Sequence, residues 1–320
     1  MKKAAKGWLI AAAVLIVIGA IGFVAVLAAN HWDLKSIGNV RFETVTVEIP
    51  EAFSNISIDS DTADIVFVPS EDGKCKAVFR EQEKMKHTAS VREGTLTVET
   101  KDEREWYDYL SFSFESPKIT VYLPQTAYDT LSIGESTGDI NIPGDFRFKE
   151  IRISASTGDV FCAASVSGLL EATTSTGDIR IQNGSVGELK LTVSTGEVEI
   201  GSVTCAGNAA ITVSTGDAIL RDVSVKSLHS KGSTGDITMT NVIAAEQISV
   251  ERSTGDVRFE QCDAAELSID TNTGDVTGSL RSDKVFIAHS DTGDVRVPET
   301  TSGGKCKITT DTGDIRITVR

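Results

Sequence analysis

The chain has 320 residues, 40% apolar and 24% charged, with 31 Lys and Arg against 46 Asp and Glu for a net charge of −15. That balance argues against nucleic acid or an anionic lipid surface as a partner of the body. Five cysteines and four histidines are too few and too scattered for a disulfide framework or a His/Cys metal cluster.

Residues 1–6 carry Lys2, Lys3 and Lys6, and residues 7–29 that follow are uncharged and almost wholly apolar. At 1.5 Å per residue a helix over this run reaches roughly 34 Å, enough to cross a bilayer. Trp8 and Trp32 bracket it as interfacial anchors, and the leading lysines put the N-terminus in the cytoplasm. The rival reading is a cleaved signal peptide with Val26-Leu27-Ala28 at the processing site, although such apolar cores run only ~7–15 residues. Either way the body lies outside the cytoplasm. Residues 30–40 read as a juxtamembrane linker. All three N-terminal lysines precede this point, so the rest of the chain holds 28 basic and 46 acidic residues, a net of −18.

Residues 41–125 hold most of the aromatics, including Phe42, Phe53, Phe67, Phe79, Trp106, Tyr107, Tyr109, Phe112 and Phe114. Strand-like runs at 75–80, 87–92, 95–100 and 109–123 predict hairpins. Ser60-Asp61-Thr62-Ala63-Asp64 is a degenerate copy of a corner that recurs later in the chain. This segment is expected to be a β-rich N-terminal cap with one degenerate coil, since a sheet stack needs its end covered. The functional alternative is a partner-binding head near the membrane.

Residues 126–320 are repetitive. Thr-Gly-Asp occurs nine times and Thr-Gly-Glu once. Their glycines are Gly138, Gly158, Gly177, Gly196, Gly216, Gly235, Gly255, Gly274, Gly293 and Gly313, spaced by 19 or 20 residues. Apolar residues stand seven and five before most of these glycines, as in Leu131/Ile133 and Leu189/Leu191, and two and four after most of them, as in Ile179/Ile181 and Val198/Ile200. This is period-two alternation on both sides of a tight corner. A looser apolar segment follows, as in Phe146/Phe148 and Val223/Val225.

Three short segments per repeat leave no room for a helix, so consecutive coils are expected to pair in parallel, each strand on its counterpart one turn along. The fold class is all-β: a parallel β-solenoid of about ten coils, roughly 48 Å long at the strand spacing, with a β-rich cap and one preceding transmembrane helix. Glycine at the corner supplies a positive φ, and the Asp is expected to bond local backbone.

The regularity speaks against an enzyme, because chemistry needs one odd site. Asp-Thr-Gly at Asp291–Gly293 and Asp311–Gly313 matches the aspartic-protease signature, yet both copies sit in the ordinary corner register. The carboxylates after each glycine should form a ladder in which neighbours ~5 Å apart repel by about 0.8 kcal/mol even in water. Backbone N–H groups, or Arg180, Arg258, Arg296 and Arg316 two residues on, could offset that. So could calcium along Asp178, Asp217, Asp236, Asp256 and Asp275, although the repeat is not the nonapeptide of calcium-binding β-rolls. No catalytic residues and no cofactor are expected. Cys162, Cys205, Cys262 and Cys306 fall at inward offsets in different coils, too far apart to bridge, and Cys75 leaves an odd count, so free thiols are expected. His229 and His289 belong to coils well separated along the rod.

An N-terminal anchor, a β-rich lead-in and serial Ser-Thr-Gly-Asp-Ile corners resemble the bacterial "putative adhesin" β-solenoid family of Gram-positive bacteria, over about residues 41–320. Some of its members, the membrane-anchored LiaG-like proteins, are linked to cell-envelope stress operons. The resemblance implies a non-enzymatic, single-pass surface protein whose rod binds or scaffolds. A cell-wall polymer or a membrane protein would be its partner, and nucleic acid would not. An accessory regulator of an envelope-stress response is the alternative, and a carbohydrate-active enzyme on the rod's flank a third.

Overall fold

The computed structural model describes residues 2–29, 41–106 and 115–319. The linker expected at 30–40, with Trp32, and the aromatics Tyr107, Tyr109, Phe112 and Phe114 lie outside those residues. A single helix, Lys2–Ala29, precedes an all-β body. Within it Ile10–Ala29 is long and apolar enough to cross a membrane.

The body is a parallel β-solenoid. Arg147–Thr157 pairs in parallel with Ala127–Thr137 on one side and Ser165–Thr176 on the other, and the pattern repeats along the rod. In-register pairing stacks Leu131, Ile151, Leu170 and Leu189 in one buried column, and Ile140, Val160, Ile179 and Val198 in another. Each coil alone has nothing to cover these side chains, so the core exists only as the stack.

Two features of the coil go beyond what the repeat predicts. A second corner lies six residues past the glycine, where Asn183, Ser202, Asp222, Asn241 and Gln261 adopt φ of 53–55°. It separates the short post-glycine strand from the third apolar segment and makes the cross-section three-sided. The position three before the glycine also points inward, carrying buried Ala155, Thr174, Val193, Arg252, Thr271 and Thr310.

Residues 41–123 extend two of the three faces. Asn55–Ser60 pairs in parallel with Ala127–Thr137, and Ala63 takes the glycine's place at a corner beneath Gly138. Thr95–Asp102 and Lys118–Leu123 then stack in parallel on Asn55–Ser60 and Asp64–Pro69. Beyond them the direction reverses: Met85–Arg92 and Cys75–Gln82 run antiparallel to these strands, and Phe42–Ile49 runs antiparallel to Cys75–Gln82.

One expectation fails. Consecutive coils do not always neighbour each other, because the Gly313 coil is inserted between those of Gly274 and Gly293. Gly304–Thr312 pairs with Val257–Thr273 on one side and Lys284–Thr292 on the other. Packing gives the reason. The last coil carries Cys306, Ile308, Ile315 and Ile317, all buried in the inner slot. The Gly293 coil offers Phe286, Ala288 and Val297, which are only partly buried and tolerate the open end.

All five cysteines are buried and unpaired. Burial pushes the Cys75, Cys162 and Cys306 thiols up to about 12 and Cys262 to about 11. Thiol titration at pH 8 should therefore find almost none in the native protein and five after denaturation without reductant. A titre near one in the denatured chain would mean that the sulfurs are paired.

Candidate functional site

The corner is the repeated chemical unit. Each corner glycine has φ between +128° and +155°, and a Cβ placed there would lie 2.0–2.4 Å from the carbonyl oxygen of its stacked neighbour, that of Ala63 at Gly138 and of a glycine elsewhere. Glycine is thus needed twice over, for its conformation and for the closeness of the stack. Between the corners, the Gly158 N–H donates to the Thr176 carbonyl at 3.0 Å and the Val160 N–H to the Asp178 carbonyl at 2.8 Å, and the same bonds recur along the rod.

The aspartates bond across coils, not within their own turn as expected. Asp139 Oδ1 accepts from the Asp159 N–H at 2.9 Å, Asp159 Oδ1 from Asp178 and Asp178 Oδ1 from Glu197 at 2.8 Å. Asp217 Oδ1 accepts from Asp236, Asp236 from Asp256, Asp256 from Asp275 and Asp275 from Asp314, at 2.8–2.9 Å. Asp314 completes the row by accepting from Asp294 at 2.7 Å. Charge-assisted bonds of this kind offset the repulsion between neighbouring carboxylates. At Glu197 no such bond to the next coil forms among the described residues. There burial and the carboxylates of Asp178, Glu199 and Asp217 push the carboxyl above its usual range.

Arginines serve the second oxygens in part. Arg258 bridges Asp236 and Asp256, Arg296 reaches Asp294 and Arg316 reaches Asp314. Arg180 does not join them, pairing instead with Glu199 at 2.6 Å.

Asp178, Asp217, Asp236, Asp256 and Asp275 therefore do stand in one row, but with one oxygen of each committed to an N–H. Calcium wants six to eight oxygens, and among the described residues no group of three or more His, Cys, Asp or Glu is arranged to hold a metal ion. Asp217→Asn keeps the acceptor for the Asp236 N–H and should change stability by less than ~1 kcal/mol, while Asp217→Ala removes it and should cost about 1–2 kcal/mol. Millimolar calcium at constant ionic strength should leave the wild-type Tm unmoved. A calcium-dependent rise blunted by Asp217→Asn would instead establish a metal ladder.

Polar side chains on the inner wall meet the same backbone. The hydroxyls of Thr174, Thr271 and Thr310 donate to the carbonyls of Gly158, Gly255 and Gly274 at 3.1–3.4 Å. Arg252 fills the volume that Gly232 leaves free, donates to the Ser230 hydroxyl at 3.1 Å, and has its pKa lowered by burial. Glu135 is buried at the first full corner, accepting from the Ala63 and Thr137 N–H groups at 3.4 and 3.2 Å. In the N-terminal part His87 stacks on Phe79 and meets Glu81 through both its N–H and its ring Nδ1.

The other candidates from the sequence are surface groups. Asp291 is bound by His289 at 2.8 Å, both exposed, and Asp311 is exposed on the neighbouring coil. His229 is an exposed outward side chain. A cleft of about 590 Å³ opens at the N-terminal part between Ile49–Phe53 and Lys74–Cys75, with Tyr128 stacked on Phe53 at 6.0 Å. Phe53 was legible as an aromatic but not as a cleft wall, because the strand that brings Tyr128 to it lies 75 residues on.

Serial Gly-Asp corners on a parallel three-sided stack define a repeat-built β-solenoid. The chain belongs to the Toastrack DUF4097 family, which it matches over residues 53–218 and 209–320. No curated protein matches it. Among solved structures it is similar to a "putative lipid binding protein" from Parabacteroides distasonis, at 18% identity, covering 75% of this chain and 98% of that one with a TM-score of 0.46. It is similar also to a "putative adhesin" from the same species (11% identity, 88% and 98% covered, TM-score 0.44). A third is a "putative adhesin" from Bacteroides fragilis (16%, 87% and 97% covered, TM-score 0.37). At these identities and scores none of them speaks to what this chain binds.

Proposed function

We propose that the protein is a non-enzymatic, membrane-anchored rod displayed outside the cytoplasm, whose acidic solenoid binds or scaffolds at the cell surface. The observation that carries this reading is the use of the repeated polar groups. The corner carboxylates and inner-wall hydroxyls are spent on the stack itself, so the repeat builds length and surface, not a reactive centre. Residues 1–6 are then cytoplasmic, 7–29 span the membrane, 30–40 link, 41–125 cap the near end and 126–320 form the rod. The ligand class is a cell-wall polymer or a membrane protein, since a body of net charge −18 repels anionic surfaces.

The cleft beside Phe53 and Tyr128 favours a second reading, an accessory regulator of an envelope-stress system. It is an aromatic-walled concavity in the part of the body nearest the anchor in sequence, where a membrane-protein partner would reach it. Cross-linking in cells followed by capture of the intact membrane form separates the two. Membrane-protein partners support regulation, and wall polymer or foreign surfaces support adhesion.

Topology has its own test. Protease added to intact protoplasts should remove the body and leave a short membrane-embedded stub. A soluble secreted product beginning near Ala29 would show a cleaved signal instead.

A further inference from the structure

The C-terminal end of the solenoid is unfinished. Lys284–Thr292 pairs on one side with Gly304–Thr312, and Val295–Arg296 with Ile315–Val319; among the described residues neither has a partner on its outer side. The inner corner at Gly313 donates its N–H to the Thr292 carbonyl, and Asp314 accepts from the Asp294 N–H. At the end corner, the Gly293 N–H and Asp294 Oδ1 present the same groups, and no further coil among the described residues receives them.

Two outward side chains set this coil apart. Val285 and Ile287 are 40% and 53% exposed. At the position of Ile287 the other coils carry polar or small residues, among them Ser132, Arg152, Glu171, Lys190 and His229. Edge strands are normally protected by charge or proline, and this one is not. Its charges also nearly cancel: residues 281–303 hold Arg281, Lys284 and Arg296 against Asp283, Asp291, Asp294 and Glu299, with Asp294 meeting Arg296 and Asp263 meeting Lys284 at 2.6 Å. On a body of net charge −18 the rods repel side by side, whereas the near-neutral tips can meet.

We propose that this end docks onto the same end of a second copy of this chain, Lys284–Thr292 pairing antiparallel with itself about a two-fold axis. The strand is self-complementary when centred on Ile287. Ile287 then lies opposite its copy and Val285 opposite His289, joining the exposed apolar side chains on the outer face. On the core side Phe286 lies opposite Ala288, large against small, so each copy covers the other's open core. An interface of this kind uses one patch twice and closes as a dimer. The far end offers no equivalent match, because its last strands run antiparallel and carry no corner.

The test uses full-length protein in detergent and in membranes. Ile287→Cys should form an intermolecular disulfide on mild oxidation, since residues directly opposite across strands lie within bridging range. His229→Cys, in the same column at mid-rod, should not, and the native cysteines are buried. Adding Val285→Lys to Ile287→Cys should cut cross-linking on the order of tenfold by setting one cation per copy into the apolar seam. Val285 is already exposed, so this change leaves folding intact. A wild type that stays monomeric with Ile287→Cys unlinked overturns the proposal. So does equal cross-linking at both positions, or a dimer that Ile287→Cys does not trap.

Discussion

Gly216→Val should abolish the folded solenoid or lower its stability by at least about 4 kcal/mol. Gly216 has φ +128°, a region that a β-branched residue rarely enters. A Cβ there would also sit 2.0 Å from the Gly196 carbonyl oxygen and 2.8 Å from its carbonyl carbon. That carbonyl cannot withdraw freely, because the Gly196 N–H is held to the Thr215 carbonyl at 3.0 Å in the adjoining rung. Relief of the clash would break the ladder in both directions. Gly201→Ala is the matched control. Its backbone needs no positive φ, and the nearest atom to an added Cβ is Gln182 Cγ at 3.8 Å. Its stability should stay within about 0.5 kcal/mol of wild type. Thermal unfolding followed by far-UV circular dichroism separates the two. Equal Tm values for Gly216→Val and wild type would overturn the corner geometry.

Glu135→Gln should stabilise the protein at pH 8 by up to about 3 kcal/mol while leaving pH 5 little changed. Burial pushes the Glu135 carboxyl up to about 7, and the hydrogen bonds from the Thr137 and Ala63 N–H groups offset this only in part. The folded chain therefore keeps the proton to near neutrality, while the unfolded chain releases it near the ordinary carboxylate value. The stability linked to that proton is complete below the unfolded value and disappears as pH rises through about 7. Glutamine stays neutral throughout and still accepts both backbone N–H groups, so this dependence should vanish. His87 titrates in the opposite sense, since burial lowers its pKa and the folded state resists protonation as pH falls. Its effect is common to both proteins and cancels in their difference. Urea midpoints for both at pH 5 and pH 8 give the result, and identical pH slopes would rule out Glu135 as the source.

Much of the fold was legible because the repeat shows each coil's answer ten times over. The glycine register gave the first corner, and period-two alternation gave the inner positions seven and five before it and two and four after. The second corner was not legible. Its left-handed backbone is filled by Asn183, Ser202, Asp222, Asn241 and Gln261, which share no single residue type. The inner position three before the glycine was hidden for a similar reason, holding Val193, Gly232 and Arg252 in different coils. The carboxylate row could be read, but the partner of each Asp could not. The N–H that it meets belongs to the adjoining corner, a relation between coils that no local pattern contains. Arg180 shows the same limit, since its position three past the glycine allows either Asp178 or Glu199 and the structure uses Glu199.

The exchange of the last two coils has a consequence for how the chain is completed during synthesis. A chain emerging N-terminus first can add coils one at a time as far as Val257–Thr273, each onto a surface already formed. The next long strand, Lys284–Thr292, has no such surface, because its only described partner is Gly304–Thr312, which has not yet emerged. Growth from one end therefore stalls after the eighth corner, with the Gly293 and Gly313 coils both still to be placed. The final stretch from Gly304 to Val319 must enter between two flanking coils, bonding to both at once, and it acts as a keystone. Placing the last two coils is thus a late, concerted step that waits for residues 304–319. A nascent chain truncated before Gly304 would keep its first eight corners while losing the ninth along with the tenth.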